Sequence, residues 1–257
     1  MTSRTILHIL HSLLDLLLSA VLLLSAAYSA YALWDNRQVY SAAENVREEL
    51  RKLKPEAEEE GGASFAQLLE TNAEVCAWLT LEQTRIDDPV VQGSDNLRYL
   101  NTDVYGNFAL AGSIYLDARN ERDFSDSFSL LYGHHMEKGR MFGDLDLYKD
   151  EAFFSRNGAG TLILPEGSYA LRVFAVLLVP ASETLIFAPK QTEIAALLDY
   201  ASAHALYLKA EEAERIAAAE APQILGLSTC SAEYTDARTV VLARMERIEG
   251  SKEGGSR

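Results

Sequence analysis

The sequence predicts a mostly β domain, a small barrel or sandwich with helical additions, carried behind one apolar N-terminal helix. Three observations predict it. Residues 16–33 read LLLSAVLLLSAAYSAYAL, without a charge. About eight short runs rich in β-branched and aromatic residues follow, separated by Gly, Pro, Asn and Asp. Neither a βαβ rhythm nor a phosphate-binding glycine loop interrupts them.

The apolar stretch comes first. Eighteen helical residues span about 27 Å, close to the thickness of a bilayer core. Asp15, His8 and His11 would then lie near one membrane face and Trp34 in the interfacial belt of the other. Ser29-Ala30-Tyr31-Ala32 offers a signal-peptidase site as the competing reading, but the stretch is long for a signal-peptide core. An uncleaved anchor over residues 1–36 is therefore expected. Only Arg4 precedes the span, whereas Arg37, Arg47, Arg51, Lys52 and Lys54 follow it. By the positive-inside rule that count would put the large domain in the cytoplasm.

Residues 37–63 read as a charged helical stalk and linker. Ala42, Val46, Leu50 and Leu53 give the stalk an apolar stripe, and Pro55 stops it. Glu56, Glu58, Glu59 and Glu60 lead into Gly61-Gly62 as a solvated linker. The compact domain is expected over residues 64–248, with a flexible tail over 249–257. Ser64 is placed to cap a short helix through Phe65, Leu68 and Leu69. Strands are expected at Ala77–Leu81, Asp88–Gln92, Gly112–Leu116 and Ser127–Tyr132, then a short helix from Met141 to Tyr148. Thr161–Leu164 and the long run Tyr169–Val179 flank a hairpin-like turn at Pro165–Ser168. Ile194, Leu197, Leu198 and Ala201 mark a helix, and Ala210–Ala221 continues helical up to Pro222. Two last strands cover Ile224–Cys230 and Arg238–Leu242.

Composition limits the function. With 48% hydrophobic residues and 12 tyrosines, a packed core is assured and global disorder excluded. A net charge of −15 argues against nucleic-acid binding, which draws its affinity from Lys and Arg on phosphates. Cys76 and Cys230 are the only cysteines, too few for a disulfide framework and without neighbours at zinc-ligand spacing. No metal or other cofactor is required by any motif.

The chemistry concentrates late in the chain. Cys230 ends an apolar strand, and Arg238 opens the next one eight residues on. A strand end holds the backbone firmly while its tip stays open to substrate. A cysteine nucleophile needs a partner that promotes the thiolate, most often an imidazole. His134 and His135 follow a strand and Gly133, and only one of two consecutive extended residues can face Cys230. His204 sits in a helix, where a surface or half-buried role is expected. Arg238 reads as a snorkelling surface charge or as a donor fork for an oxyanion.

These residues carry a family resemblance. Tyr132-Gly133-His134-His135-Met136, with Gly139, Met141-Phe142-Gly143 and Leu145, resembles the histidine motif of class B sortases. Leu227-Ser228-Thr229-Cys230, then Tyr234, Asp236-Ala237-Arg238 and Val240-Val241, is similar to that family's cysteine and arginine motifs. Trp78-Leu79, Pro89-Val90-Val91-Gln92-Gly93, Asp95-Asn96, Tyr99-Leu100-Asn101, Gly112-Ser113-Ile114 and Asp117 with Arg119-Asn120 add landmarks in the right order. The pattern departs at Leu81–Thr84, where a Pro-Gly turn is usual, at Asp88, where an aromatic is common, and at Cys76, often glycine.

The resemblance implies an eight-stranded sortase-type β-barrel with N-terminal helices and a helix inserted between late strands, behind one transmembrane helix. It implies a membrane-anchored cysteine transpeptidase, an enzyme of the cysteine-peptidase class on Gram-positive cell surfaces. Cys230 would be the nucleophile, His134 the general acid/base, and Arg238 the group that positions substrate and stabilises the oxyanion. Asn96 and Leu100 on an early helix, with Ser228, would line the sorting-signal groove, whose shape near Val179–Phe187 would select the peptide. Partners would be sorting-signal-bearing surface proteins and an amine from a cell-wall precursor or a pilin, with the catalytic domain outside the membrane. A membrane-anchored cysteine peptidase that hydrolyses its acyl-enzyme, a pilin-polymerising sortase and a non-enzymatic surface protein are the alternatives.

Overall fold

The structure, a computed structural model, describes residues 3–55, 63–230 and 236–248, with Cys230 given by its backbone. The expected acidic linker and the C-terminal tail lie outside the described residues. Helix α1 (Ser3–Arg51) carries both the expected anchor and the expected helical stalk. No Gly or Pro occurs before Pro55, so the change from apolar to charged composition alters what the helix faces without ending it. Its Ser3–Asp35 stretch, of mean hydropathy 2.1, is long and apolar enough to cross a membrane, compatible with a single-pass anchor.

The chain falls into two compact units, residues 1–44 and residues 45–257. In the second unit, α2 (Ala63–Thr71) precedes β1 (Val75–Leu81), β2 (Asp87–Val91), β3 (Ile114–Leu116) and β4 (Phe128–Tyr132). A small hairpin, β5 (His135–Met136) and β6 (Arg140–Met141), leads to a 3-10 helix at Gly143–Lys149, where the sequence predicted a helix from Met141. Then come α3 (Glu151–Arg156), β7 (Ala159–Leu164), β8 (Gly167–Pro180), α4 (Thr184–Phe187), α5 (Ile194–His204), β9 (Tyr207–Leu208) and α6 (Ala210–Ala218). The last strands are β10 (Ile224–Cys230) and β11 (Ala237–Ile248).

Eight of these strands close a barrel in the order β11-β10-β4-β3-β2-β1-β7-β8, with β11 pairing back on β8 and β9 added at the outer edge of β8. Closure comes from the long antiparallel ladder running from Ala237↔Pro180 to Ile248↔Ser168, which leaves neither strand as an open edge. The strands read as near-continuous apolar runs because both faces are covered. Leu225 and Leu227 belong to the interior cluster with Leu79, Leu131, Leu171 and Val241. Ile224 faces outward, onto the layer that holds Phe128, Phe174, Leu197 and Ile216. On the opposite flank Trp78 and Ile163 pack with Leu50, Leu68 and Tyr99.

The C-terminal end of α1 and the residues just after it are fastened to this barrel by charge, and Arg51 Nε lies 3.7 Å from Asp87 Oδ2. Asp87 accepts hydrogen bonds from Trp78 Nε1 at 2.9 Å, Thr80 Oγ1 at 2.8 Å and Lys54 Nζ at 2.6 Å. Burial pushes the Asp87 carboxyl up, but the bonds from Lys54, Trp78 and Thr80 outweigh it, so its pKa lies below the ordinary carboxylate value. Because the folded value is depressed, the stability it contributes is complete above the unfolded pKa of about 3.9. That stability is lost as pH falls through the lower folded value. Asp87→Asn is therefore expected to flatten the acid limb of the stability curve, read by urea unfolding between pH 3 and 7. An unchanged acid slope in the variant would contradict this.

Candidate active site

Strand register brings the predicted residues to one place. β10 lies parallel to β4, with Leu227 beside Leu131 and Ser228 beside Tyr132, and Gly133 N–H donates to Ser228 O at 3.2 Å. β10 lies antiparallel to β11, with Cys230 directly opposite Arg238. By strand alternation, position 230 shares the outward face that carries Ser228. His134 stands two residues beyond the end of β4, beside these strand ends. Gly133 is required there, because a Cβ would lie 2.8 Å from the Phe142 ring. Phe142 N–H in turn donates to His134 O at 3.0 Å and fixes the loop.

His134, Arg238, Ser228, Leu100 and Asn96 line one cavity of about 330 Å³, together with Tyr132, Ala181 and Phe187. His134 Nε2 lies 2.7 Å from the Leu100 carbonyl oxygen. A carbonyl only accepts, so Nε2 carries the hydrogen and Nδ1 is the ring's free acceptor. The carbonyl thus does the orienting work that a carboxylate does in many nucleophile–imidazole pairs, with no full negative charge. Arg238 is partly buried; Nη1 donates to Ala237 O at 3.0 Å and Nη2 lies 3.4 Å from Asp236 Oδ1. A guanidinium has five donors, so these contacts leave others for a ligand. Ser228 Oγ is buried at the cavity wall without a hydrogen-bond partner among the described residues.

Asn96 and Leu100 do not sit on a regular helix: Leu100 ends a single 3-10 turn, Arg98–Leu100, and Asn96 precedes it. The Asn96 amide is engaged at both ends, donating to Asp117 Oδ2 at 3.0 Å and accepting from Ala118 N at 2.7 Å. Its contribution to the groove is shape. Leu100 contributes its carbonyl, which no side-chain pattern reveals. Tyr132 and Phe187 form the remaining wall, their rings stacked at 6.4 Å, with Tyr115 stacked on Tyr132 at 5.3 Å. Tyr132 belongs to the histidine motif and Phe187 closes the segment expected to shape the groove, but the stacking of their rings is made by the fold.

The other candidates lie elsewhere. Cys76 is 1% exposed, and burial pushes its thiol up to about 12 against the partial offset of Arg122, which makes it inert as a nucleophile. His135 is exposed and pairs with Asp146 at 2.9 Å. His204 is exposed on α5 and stacks on Tyr200 at 4.4 Å.

No family model matches the chain. The chain is 30% identical over 185 residues to Sortase B of Listeria monocytogenes, an alignment covering 69% of this chain and 72% of that protein. Among solved structures it resembles a Streptococcus pyogenes class B sortase involved in pilus biogenesis, with 32% identity and a TM-score of 0.64 over 72% of this chain and 98% of that one. It also resembles the Staphylococcus aureus sortase B–substrate complex, with 25% identity and a TM-score of 0.69 over 83% and 99% of the two chains.

Proposed function

The chain belongs to the class B sortases, cysteine transpeptidases, and on that premise we propose that it cleaves a C-terminal sorting signal at a threonine carbonyl and passes the acyl group to an amine. The observation that carries this reading is the register that sets Cys230 opposite Arg238 while His134 stands at the neighbouring strand end. The Cys230 thiol passes its proton to His134 Nδ1, the thiolate attacks the carbonyl carbon, and an Arg238 donor meets the developing oxyanion. Collapse of the tetrahedral adduct breaks the C–N bond, and His134 gives its proton to the departing amine through Nδ1. An incoming amine then attacks the thioester carbonyl and loses a proton to His134, the C–S bond breaks, and Cys230 leaves as the thiolate beside a protonated His134. Throughout, the Leu100 carbonyl keeps the ring turned, since its bond to Nε2–H persists in both protonation states.

Residues 1–36 would anchor the enzyme, 37–63 form the stalk, 64–248 the catalytic domain and 249–257 a tail. Because surface proteins and wall amines lie outside the cell, the catalytic domain is placed there, against the basic-residue count. Substrates are surface proteins bearing the signal, and the acceptor is an amine of a cell-wall precursor or of another surface protein.

Partition of the acyl-enzyme tests the transferase reading. With quenched threonine-containing peptides and rising hydroxylamine, the hydroxamate product is expected to grow at the expense of the free acid, measured by mass spectrometry. Free acid alone at every amine concentration would make the enzyme a hydrolase.

A further inference from the structure

Three walls of the groove are held by one carboxylate that does not itself line it. Asp117 follows β3, and its side chain is 0% exposed. Oδ2 accepts from Tyr132 Oη at 2.9 Å, from Asn96 Nδ2 at 3.0 Å and from Arg119 Nη2 at 2.6 Å. Oδ1 accepts from Arg119 Nε at 2.8 Å and from Arg119 N at 2.9 Å. A buried carboxylate is tolerated only when it is surrounded by donors in this way. The bidentate Arg119 fork has a further use, because Nη2 also donates to Phe187 O at 2.7 Å. Phe187 is the last residue of α4, and its ring is the wall stacked on Tyr132.

We propose that Asp117, acting through Arg119, is a positioning residue that presets the groove for an extended peptide by fixing Asn96, Tyr132 and the Phe187 wall in one arrangement. The proposal rests on the reading that this groove takes the sorting-signal peptide. Two of the three tethered groups, Asn96 and Tyr132, hang on the carboxylate directly. The third, the α4 wall, reaches it only through the planar fork of Arg119. A lysine supplies charge at that position but cannot reach a carboxylate and a main-chain carbonyl in fixed directions at once. With the wall set before substrate arrives, binding does not have to order it, so the benefit falls on KM more than on kcat.

The test compares full-length wild type with Arg119→Lys and Asp117→Asn. The first changes a side chain that is 48% exposed and keeps the charge, so it answers even where Asp117→Asn fails to fold. The probe is the quenched threonine peptide that wild type cleaves best, and amide exchange over Thr184–Ala188 is followed in parallel. Arg119→Lys is expected to raise KM about tenfold with kcat within about twofold, while exchange of the α4 amides quickens and that of β1 and β7 is unchanged. A KM within twofold of wild type overturns the proposal, whether or not α4 exchanges faster, because the clamp is then a structural tie only. A fall in kcat at constant KM also overturns it. If wild type cleaves no peptide, the reading of the groove fails and the positioning role falls with it. Unchanged KM against an active wild type removes the positioning role alone.

Discussion

Cys230→Ala is expected to give a folded protein that forms no acyl-enzyme and whose peptide turnover falls by at least about a thousandfold, whereas Cys76→Ala keeps most of its activity. Cys76 lies in β1 with its sulfur 3.5 Å from Val90 O, and burial raises its thiol to about 12. At neutral pH it carries almost no thiolate, and the thiolate is the nucleophile. Cys230 ends β10 opposite Arg238 in the strand register. Intact-mass measurement after incubation with the peptide reads the acyl adduct on each variant, and thermal unfolding confirms that both fold. Equal loss of turnover from the two substitutions would remove Cys230 from its assigned role.

The second large effect is on stability. Arg47 Nε lies 2.9 Å from Asp88 Oδ1, with side chains only 9% and 10% exposed. The pair is poorly made: Arg47 Nε and Nη2 are buried without a well-directed hydrogen bond among the described residues. Burial pushes the Asp88 carboxyl above its ordinary value, and the adjacent Arg47 offsets this only in part. Removing one partner strands the other charge, so Asp88→Asn is expected to cost about 3–5 kcal/mol. Replacing both, as Arg47→Met with Asp88→Leu, is expected to restore stability to within about 1 kcal/mol of wild type or to exceed it. Urea unfolding of the full chain, followed by the fluorescence of buried Trp78, measures both. A double variant whose loss equals the sum of the two single losses would show that the charges are not coupled. Asp88 stands where the sequence departs from the family's usual aromatic, and Arg47 supplies the physical reason: a charge from the stalk helix meets it there.

The barrel strands were legible because each is a run of apolar residues long enough to cross the sheet. Ile224–Cys230 was recognisable at both of its bounds. β11 was foreseen as Arg238–Leu242 but extends to Ile248. Its last residues, Met245 to Ile248, include Glu246 and Arg247, yet they pair with the start of β8 through main-chain bonds indifferent to side-chain polarity. The hairpin β5–β6 and strand β9 have two residues per strand, too short for any period to register. His134 and Arg238 were legible from residue type beside glycine or at a strand end, and the structure places both on one cavity. Asp117 appeared in the sequence only as part of a run of family landmarks. Its partners come from positions 96, 119 and 132, and Arg119 carries its hold on to residue 187, so the network is made by the fold alone.

The imidazole's partner has a genetic consequence. Since Leu100 holds His134 by its peptide oxygen, every codon at position 100 encodes the same acceptor. Substitution there changes the groove's surface and leaves the ring's orientation intact. Losing that orientation takes a change in the path of the chain, such as a residue gained or deleted between Asn96 and Ser113, or a side chain at Gly112, whose Cβ would lie 2.5 Å from the Leu100 oxygen. At position 100 itself, then, drift by point mutation is buffered, whereas at Gly112 it is not.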